Sequence, residues 1–473
     1  MNRNNFLPHV TVALVLILVA AFAGQLRRWQ RTQWKRATAA VQIMPGTDKR
    51  PDSGDDGDIA RHEPGEFGEP EVFVKFKAGV KAETITRITL GFHDRVEDEI
   101  ESVPGLEAID DLDNADPDVV VAEYRRLPEV EYAERNYEIS IVDAVPSLEP
   151  VRPSDPRFSE QWALANDGQN GGTQGADISA MRAWAVTTGS DKVVLAVLDS
   201  GVDYTHSDLA ANIWVRPATV APFEDAQLGT IQDAHGYNAI ENSADPMDEN
   251  GHGTHCAGIV GAEGGNDIGI SGVNWKVQIM PLKFMNAGGF GTTKDAVEAI
   301  NYVIDRKKHG VNVRVISASW GSTQKSRALE DVISKAYDEG ILFVAASGNS
   351  STDNDRSPHY PSNYNNVVSV AALDRNDQLA SFSNFGVKSV QIAAPGKDIL
   401  STWLGDEYEE HSGTSMATPV VAGVAALIAA HEPQLSVAEL RRKLLASVDK
   451  LDSLKGKVVT GGRINAAKAV GAE

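Results

Sequence analysis

From Val193 onward the chain alternates short, nearly uninterrupted apolar runs with longer segments whose apolar residues recur every three or four positions. The runs Val193–Leu198, Ile279–Phe284, Val313–Ala318, Ile341–Ala346, Val367–Ala372 and Val390–Ala394 have strand length and are rich in β-branched residues. Thr293–His309 and Ala328–Glu339 carry a helical period and each is followed by a glycine, Gly310 and Gly340, the expected helix stop. Apolar strands alternating with amphipathic helices predict an α/β fold, with a mainly parallel central sheet covered by helices on both faces. In such sheets the chemistry gathers at the carboxyl ends of the strands.

The N-terminal part is patterned differently. Glu71–Lys77 alternates like a strand, Pro117–Leu127 contains a helical stretch, and Val130–Ile141 is again strand-like, which predicts a small α+β domain over 71–141. Thr47–Pro70 is rich in Gly, Pro, Asp and Glu, so 27–70 is expected to be a basic, then acidic, linker. A second linker, 142–156, carries prolines at 146, 150, 153 and 156, and 157–473 forms the large domain. At the start, Val10–Gly24 is apolar but shorter than the roughly 20 residues of a membrane span. Ala21-Phe22-Ala23 resembles a signal-peptide cleavage site, whereas Arg27, Arg28, Arg31, Lys35 and Arg36 follow at once and resist translocation. Two readings of 1–26 stay open, a signal peptide or a membrane anchor through residues 7–26. Both predict export, to the outside of the cell or to the periplasm.

Charge changes this picture little once it is located. The 473 residues are 42% hydrophobic and 23% charged, with a formal charge of −22. Residues 52–150 hold 27 acidic against 9 basic side chains, whereas 151–473 hold 38 against 27. The acidity therefore belongs mainly to the N-terminal segment and says little about a substrate. With no basic face to neutralise phosphates, no nucleic-acid partner is expected. A single cysteine, Cys256, rules out an intrachain disulfide.

Four polar residues stand where the predicted strands end or helices begin. Asp199 follows the apolar run VVLAVL and serves there either as a turn cap or as a partner for a base. His252 lies between Gly251 and Gly253, which leave an imidazole uncovered at a helix start, as a general base requires. A zinc site of His252, His255 and Cys256 is the alternative, but no further ligand pair stands nearby. Ser415 precedes an all-apolar stretch, VVAGVAALIAA, with Pro419 expected near the first turn. It is either a plain N-cap or a nucleophile beside unpaired helix N–H groups. Asn349 ends the run ILFVAA and could donate an amide to a substrate oxygen or only make a turn.

Together, Asp199-Ser200-Gly201, His252-Gly253-Thr254-His255 and Gly413-Thr414-Ser415-Met416-Ala417-Thr418-Pro419 resemble the three signatures of the subtilisin-like serine peptidases. Ser347-Gly348-Asn349 resembles that family's oxyanion motif. The resemblance implies a serine endopeptidase with Ser415 as nucleophile, His252 as general base, Asp199 orienting the imidazole, and Asn349 binding the oxyanion. A catalytically silent peptide-binding homologue is the rival, and the intact triad argues against it. Ser319-Trp320-Gly321 and Gly288-Gly289, with Gly348, correspond to the edges that bind substrate as an extended strand. The family commonly has Leu where Trp320 stands. The loop 263–270 resembles a structural Ca²⁺ site, with Asp155, Asp208, Glu263, Asn266, Ile268 and Ile270 as ligands, the hard-oxygen set that calcium takes. The acidic domain at 71–141 resembles a propeptide that folds and blocks the enzyme until cleaved, giving a self-processing zymogen with a monomeric mature form. Asp245, Asp248 and Glu249 are expected to be an exposed acidic loop, and Cys256 a packed thiol.

Overall fold

The computed structural model describes residues 72–113, 115–137 and 149–472. The N-terminal hydrophobic run, the first linker and residues 142–148 of the second lie outside the described residues. The chain divides into two compact units between Ala144 and Val145.

The first unit is an antiparallel sheet with helices. Its elements are β1 (Val72–Phe76), α1 (Ala82–Phe92), β2 (Asp94–Glu99), β3 (Leu106–Asp111), α2 (Pro117–Tyr124) and β4 (Val130–Arg135). The strand order is β2-β3-β1-β4. Alternation in β1 buries Val72, Val74 and Phe76 against Val120, Val121 and Tyr124.

The second unit is built on β5 (Gly189–Asp199), α3 (His252–Gly261), β6 (Lys276–Lys283), α4 (Thr293–Lys308), β7 (Val313–Ala318), α5 (Arg327–Asp338), β8 (Leu342–Ala346), β9 (Val367–Leu373), β10 (Ile392–Pro395), β11 (Ile399–Trp403), β12 (Glu407–His411), α6 (Thr414–His431), α7 (Val437–Ala446), β13 (Val448–Lys450) and β14 (Gly462–Ile464). The main sheet runs β13-β14-β10-β9-β8-β7-β5-β6, with Tyr237–Asn238 at its far edge. Every pairing in it is parallel except β13 with β14. β11 and β12 form a separate antiparallel hairpin.

Period-two alternation in β5 explains the layers. Val193, Leu195 and Val197 join a core with α3 and α6, while Val194, Ala196 and Leu198 join a second core with α4 and α5. Both faces of the sheet are thus covered, the α/β arrangement expected from the pattern. Helix α6 is buried nearly all round. Each Val or Ile it withdraws from water contributes about 1.5–3 kcal/mol, so its first residues are held by the whole core behind them.

Candidate active site

Asp199 is the last residue of β5 and is fully buried. Its Oδ1 accepts the Ser200 N–H at 2.8 Å and lies 2.6 Å from His252 Nδ1. Oδ2 has no hydrogen-bond donor among the described residues. His252 opens α3, and Asp248 fixes that helix start by accepting Thr254 N–H and Oγ1 at 3.0 and 2.7 Å. Gly253 is required here, because a Cβ would fall 2.0 Å from the Gly201 carbonyl and 3.1 Å from Asp199 Cβ. Burial pushes the His252 imidazole toward its neutral form. The charge and hydrogen bond of Asp199, with the charge of Asp248, outweigh that and leave its pKa above the ordinary value.

The zinc alternative fails on geometry. His255 turns away, its Nε2 set against the carbonyls of Ile399 and Glu409, and burial drives its pKa down to about 3. Cys256 Sγ lies within 4.8 Å of the Asp199 and His252 ligand atoms. Burial, reinforced by the charge of Asp199, drives its thiol pKa far up, so it stays protonated and packed. Asp245 pairs with the Tyr204 hydroxyl and Glu249 with Lys283, whereas Asp248 is buried rather than part of an exposed loop. Its burial follows from its role as cap to α3.

Ser415 is the second residue of α6. Pro419 lies beyond the first turn, not within it. Lacking an N–H, it leaves the Ser415 carbonyl without its helical donor. Ser319 Oγ at 2.7 Å and Cys256 Sγ at 3.6 Å take that carbonyl instead. The proline thus ties the Ser415 backbone to β7 and α3, a coupling the helical pattern did not reveal. Ser415 Oγ donates its one proton to the Ser319 carbonyl at 3.0 Å, so a rotation of the hydroxyl precedes any transfer to His252.

Asn349 follows β8 through Gly348, which sits at φ +107°. Its Oδ1 accepts both Thr414 N–H at 2.9 Å and Thr414 Oγ1 at 2.8 Å. Thr414 therefore fixes the amide with Nδ2 turned outward. A Cβ placed on Gly413 would lie 3.4 Å from that Nδ2 and 3.5 Å from the Ser415 backbone nitrogen. Two donors converge on one small space beside the serine, as an oxyanion requires. Thr414, Asp248 and the Ser319 carbonyl are functional neighbours that carried no separate signal in the sequence.

The substrate-edge residues divide. Ser319 and Gly321 follow β7 directly, but the Trp320 indole turns inward, donating to the Leu198 carbonyl at 2.9 Å and packing on Phe284 at 4.7 Å between ring centroids. Gly288 and Gly289 form a turn rather than a strand. Asn286 Oδ1 takes the Gly288 N–H and its carbonyl takes that of Gly289, so neither N–H is free to pair with a peptide. Sequence position suggested an edge, but the Asn286 side chain closes the loop on itself.

All six residues of the expected cation loop meet in one network. Asp155 accepts the Gly265 and Asn266 N–H groups and the Ser271 hydroxyl. Asp208 accepts Asn266 Nδ2 at 2.9 Å, Ile270 N–H at 3.0 Å and the Tyr408 hydroxyl at 3.1 Å. Glu263 N–H meets the Asp208 carbonyl, and Ile268 N–H meets Asn266 Oδ1. Both carboxylates are buried, and neither has a basic partner among the described residues. Burial, with the charge of Asp155 adding, raises the Asp208 pKa despite its three donors. Two buried carboxylates that act on one another and have no basic partner among the described residues suit a hard cation.

A parallel sheet ending in a carboxylate–imidazole pair, beside a helix that opens with a serine, defines a serine-hydrolase site. Residues 190–462 match the model of the subtilase family, Peptidase_S8. The chain is 34% identical over 420 residues to the thermophilic serine proteinase of Bacillus sp. (strain AK1), a match covering 86% of this chain and 89% of that one. It is 35% identical to thermitase of Thermoactinomyces vulgaris, covering 67% of this chain and 99% of thermitase. A solved protease from Pseudoalteromonas arctica PAMC 21717 superposes with a TM-score of 0.56 at 29% identity, over 68% of this chain and 99% of that one. The chain belongs to the subtilase family of serine endopeptidases.

Proposed function

We propose that Asp199, His252 and Ser415 carry out peptide-bond hydrolysis through an acyl-enzyme, in a protein exported as a self-processing zymogen. The 2.6 Å contact of His252 Nδ1 with buried Asp199 carries the reading. It fixes the tautomer and leaves Nε2 with a lone pair to take the Ser415 proton. Ser415 Oγ then attacks the scissile carbonyl carbon, and the Ser415 N–H and Asn349 Nδ2 hold the oxyanion. His252 returns the proton to the leaving amine as the C–N bond breaks, and water repeats the sequence to release the acid.

Ser319 and Gly321 present backbone to an extended substrate at the end of β7. The Asp155–Asp208 network fits calcium. The carboxylates of Asp155 and Asp208, the Asn266 side chain and the carbonyls of Glu263, Ile268 and Ile270 would hold the ion, which compensates buried charge and takes no part in the chemistry.

The acidic 71–141 unit is the propeptide in this reading. It is supported by the match to the Bacillus proteinase, whose 420 aligned residues outrun the stretch from Val145 to Glu473 and so reach into the first unit. Export, by cleaved signal or retained anchor, rests on the apolar run at Val10–Gly24. The test compares purified protein with its Ser415→Ala variant. Casein hydrolysis and trimming of the N-terminal unit by the former alone are expected; equal behaviour of the two would favour a silent peptide-binding homologue.

A further inference from the structure

The parallel strands β8 and β9 are neighbours, so the chain between Ala346 and Val367 must return the length of the sheet. The returns from β6 to β7 and from β7 to β8 run through α4 and α5, but this one contains neither helix nor strand. Its backbone groups are met by side chains instead. Asn354 Nδ2 donates to the Ser347 carbonyl at 2.8 Å, and Asn363 Nδ2 to the Asn354 carbonyl at 2.9 Å. Where the return lands at Val367, a cavity of about 380 Å³ is left between it, the segment before β10 and helix α7. That volume lies in the range of small-molecule sites and far exceeds the needs of a single ion. None of its lining residues belongs to the Asp199–His252–Ser415 centre or to the Asp155–Asp208 network.

The polar groups lining this cavity are unequally satisfied. Asp355 is its one carboxylate, and both oxygens are taken: the Lys388 and Ser389 N–H groups and the Ser389 hydroxyl donate to them at 2.6–3.2 Å. Gln391 Oε1 accepts the Ser369 N–H at 2.7 Å, which leaves its Nε2 without an acceptor among the described residues. The Lys388 and Arg441 side chains have neither an ion pair nor a hydrogen bond among the described residues, and Arg441 Nε is buried without a partner. Both side chains only donate. The lining therefore repels a cation and holds donors that lack acceptors. A buried guanidinium N–H in that state is costly unless a ligand completes it.

We infer that this cavity binds a small organic dianion, with one anionic end on Lys388 and the other on Arg441, and with the Gln391 amide as a further donor. Two cations brought in by separate elements, the segment before β10 and helix α7, call for two anionic groups joined by a short body. A lone tetrahedral anion would leave most of the space empty and one cation unanswered. Ionised ligand groups give the stronger class of hydrogen bond to such donors.

The test titrates succinate, a short dicarboxylate, into the full-length Ser415→Ala protein by isothermal calorimetry, so that self-digestion does not interfere. Calcium is held in excess to keep the Asp155–Asp208 network saturated, and sodium chloride at equal ionic strength gives the baseline. Saturable binding is expected, with a rise in unfolding temperature that chloride does not produce. Lys388→Gln and Arg441→Gln should each weaken binding at least about tenfold. Lys388 is exposed, so its variant reports on the site even should the Arg441 variant fail to fold. Sulfate, a single anionic group, should bind at least about tenfold more weakly than succinate. Absence of saturable succinate binding, an unchanged affinity in Lys388→Gln or in folded Arg441→Gln, or sulfate binding as tight as succinate would overturn the inference.

Discussion

Two buried acidic centres in the second unit solve the same electrostatic problem in opposite ways. At the end of β5, Asp199 is matched by a titratable partner, and the pair shifts the His252 pKa upward. Against the 263–270 loop, Asp155 and Asp208 have only neutral donors, and burial raises the Asp208 pKa instead. A carboxylate paired with a base is a means of moving protons. Two carboxylates that share only N–H, O–H and amide donors hold charge that an external cation must answer. The first arrangement is suited to chemistry and the second to ion-dependent stability.

The largest effect that could break this comparison lies at the first centre. Ser415→Ala should lower kcat by on the order of 10⁶, with calcium-dependent stability unchanged. Asn349→Ala should lower kcat by about 10²–10³ with little change in KM, because its Nδ2 acts only on the developing oxyanion. Equal loss in both parameters would remove Asn349 from the oxyanion site.

The second centre predicts effects on stability rather than rate. Chelation should lower the unfolding temperature, and calcium should restore it; an ion at 1,000 times its Kd contributes about 4 kcal/mol. Asp208→Asn should abolish that response. Because the folded pKa of Asp208 is raised, its contribution to the ion-free protein is present below the unfolded value and lost as pH rises through the folded one. Chelated protein should therefore lose stability with rising pH by more than the Asp208→Asn variant does. Identical pH profiles would show that Asp208 is not the strained group.

The smallest expected effect is a shift in a pH profile. Activity should fall as pH drops through the His252 pKa, with a midpoint above the ordinary histidine value, since protonated imidazole cannot take the Ser415 proton. Asp248→Asn removes one of the charges that raise it and should move the midpoint down.

Much of the fold was legible because the parallel strands are continuous apolar runs; Val313–Ala318 matches its observed bounds. The first unit was harder. Helix Ala82–Phe92 does carry Ile85, Ile88 and Phe92 at helical spacing, but threonines share that face, and the strands Asp94–Glu99 and Leu106–Asp111 are short, acidic and without clean alternation. The β11–β12 hairpin escaped because Glu407–His411 holds three glutamates and a single aromatic residue, and its pairing is supplied by Ile399–Trp403. At the site, Asp199, His252, Ser415 and Asn349 announced themselves through glycines and strand ends. Trp320 did not, because its direction is set by the Leu198 carbonyl and Phe284, which are distant in sequence. Thr414 acts on Asn349, a neighbour that only folding brings near.

The most direct test of the central claim is to treat the protein with a phosphonylating serine reagent and map the adduct by peptide mass spectrometry. A single adduct on Ser415, lost in His252→Ala and strongly reduced in Asp199→Asn, is predicted. An adduct on another serine, or equal labelling of Ser415 without His252, would contradict the account.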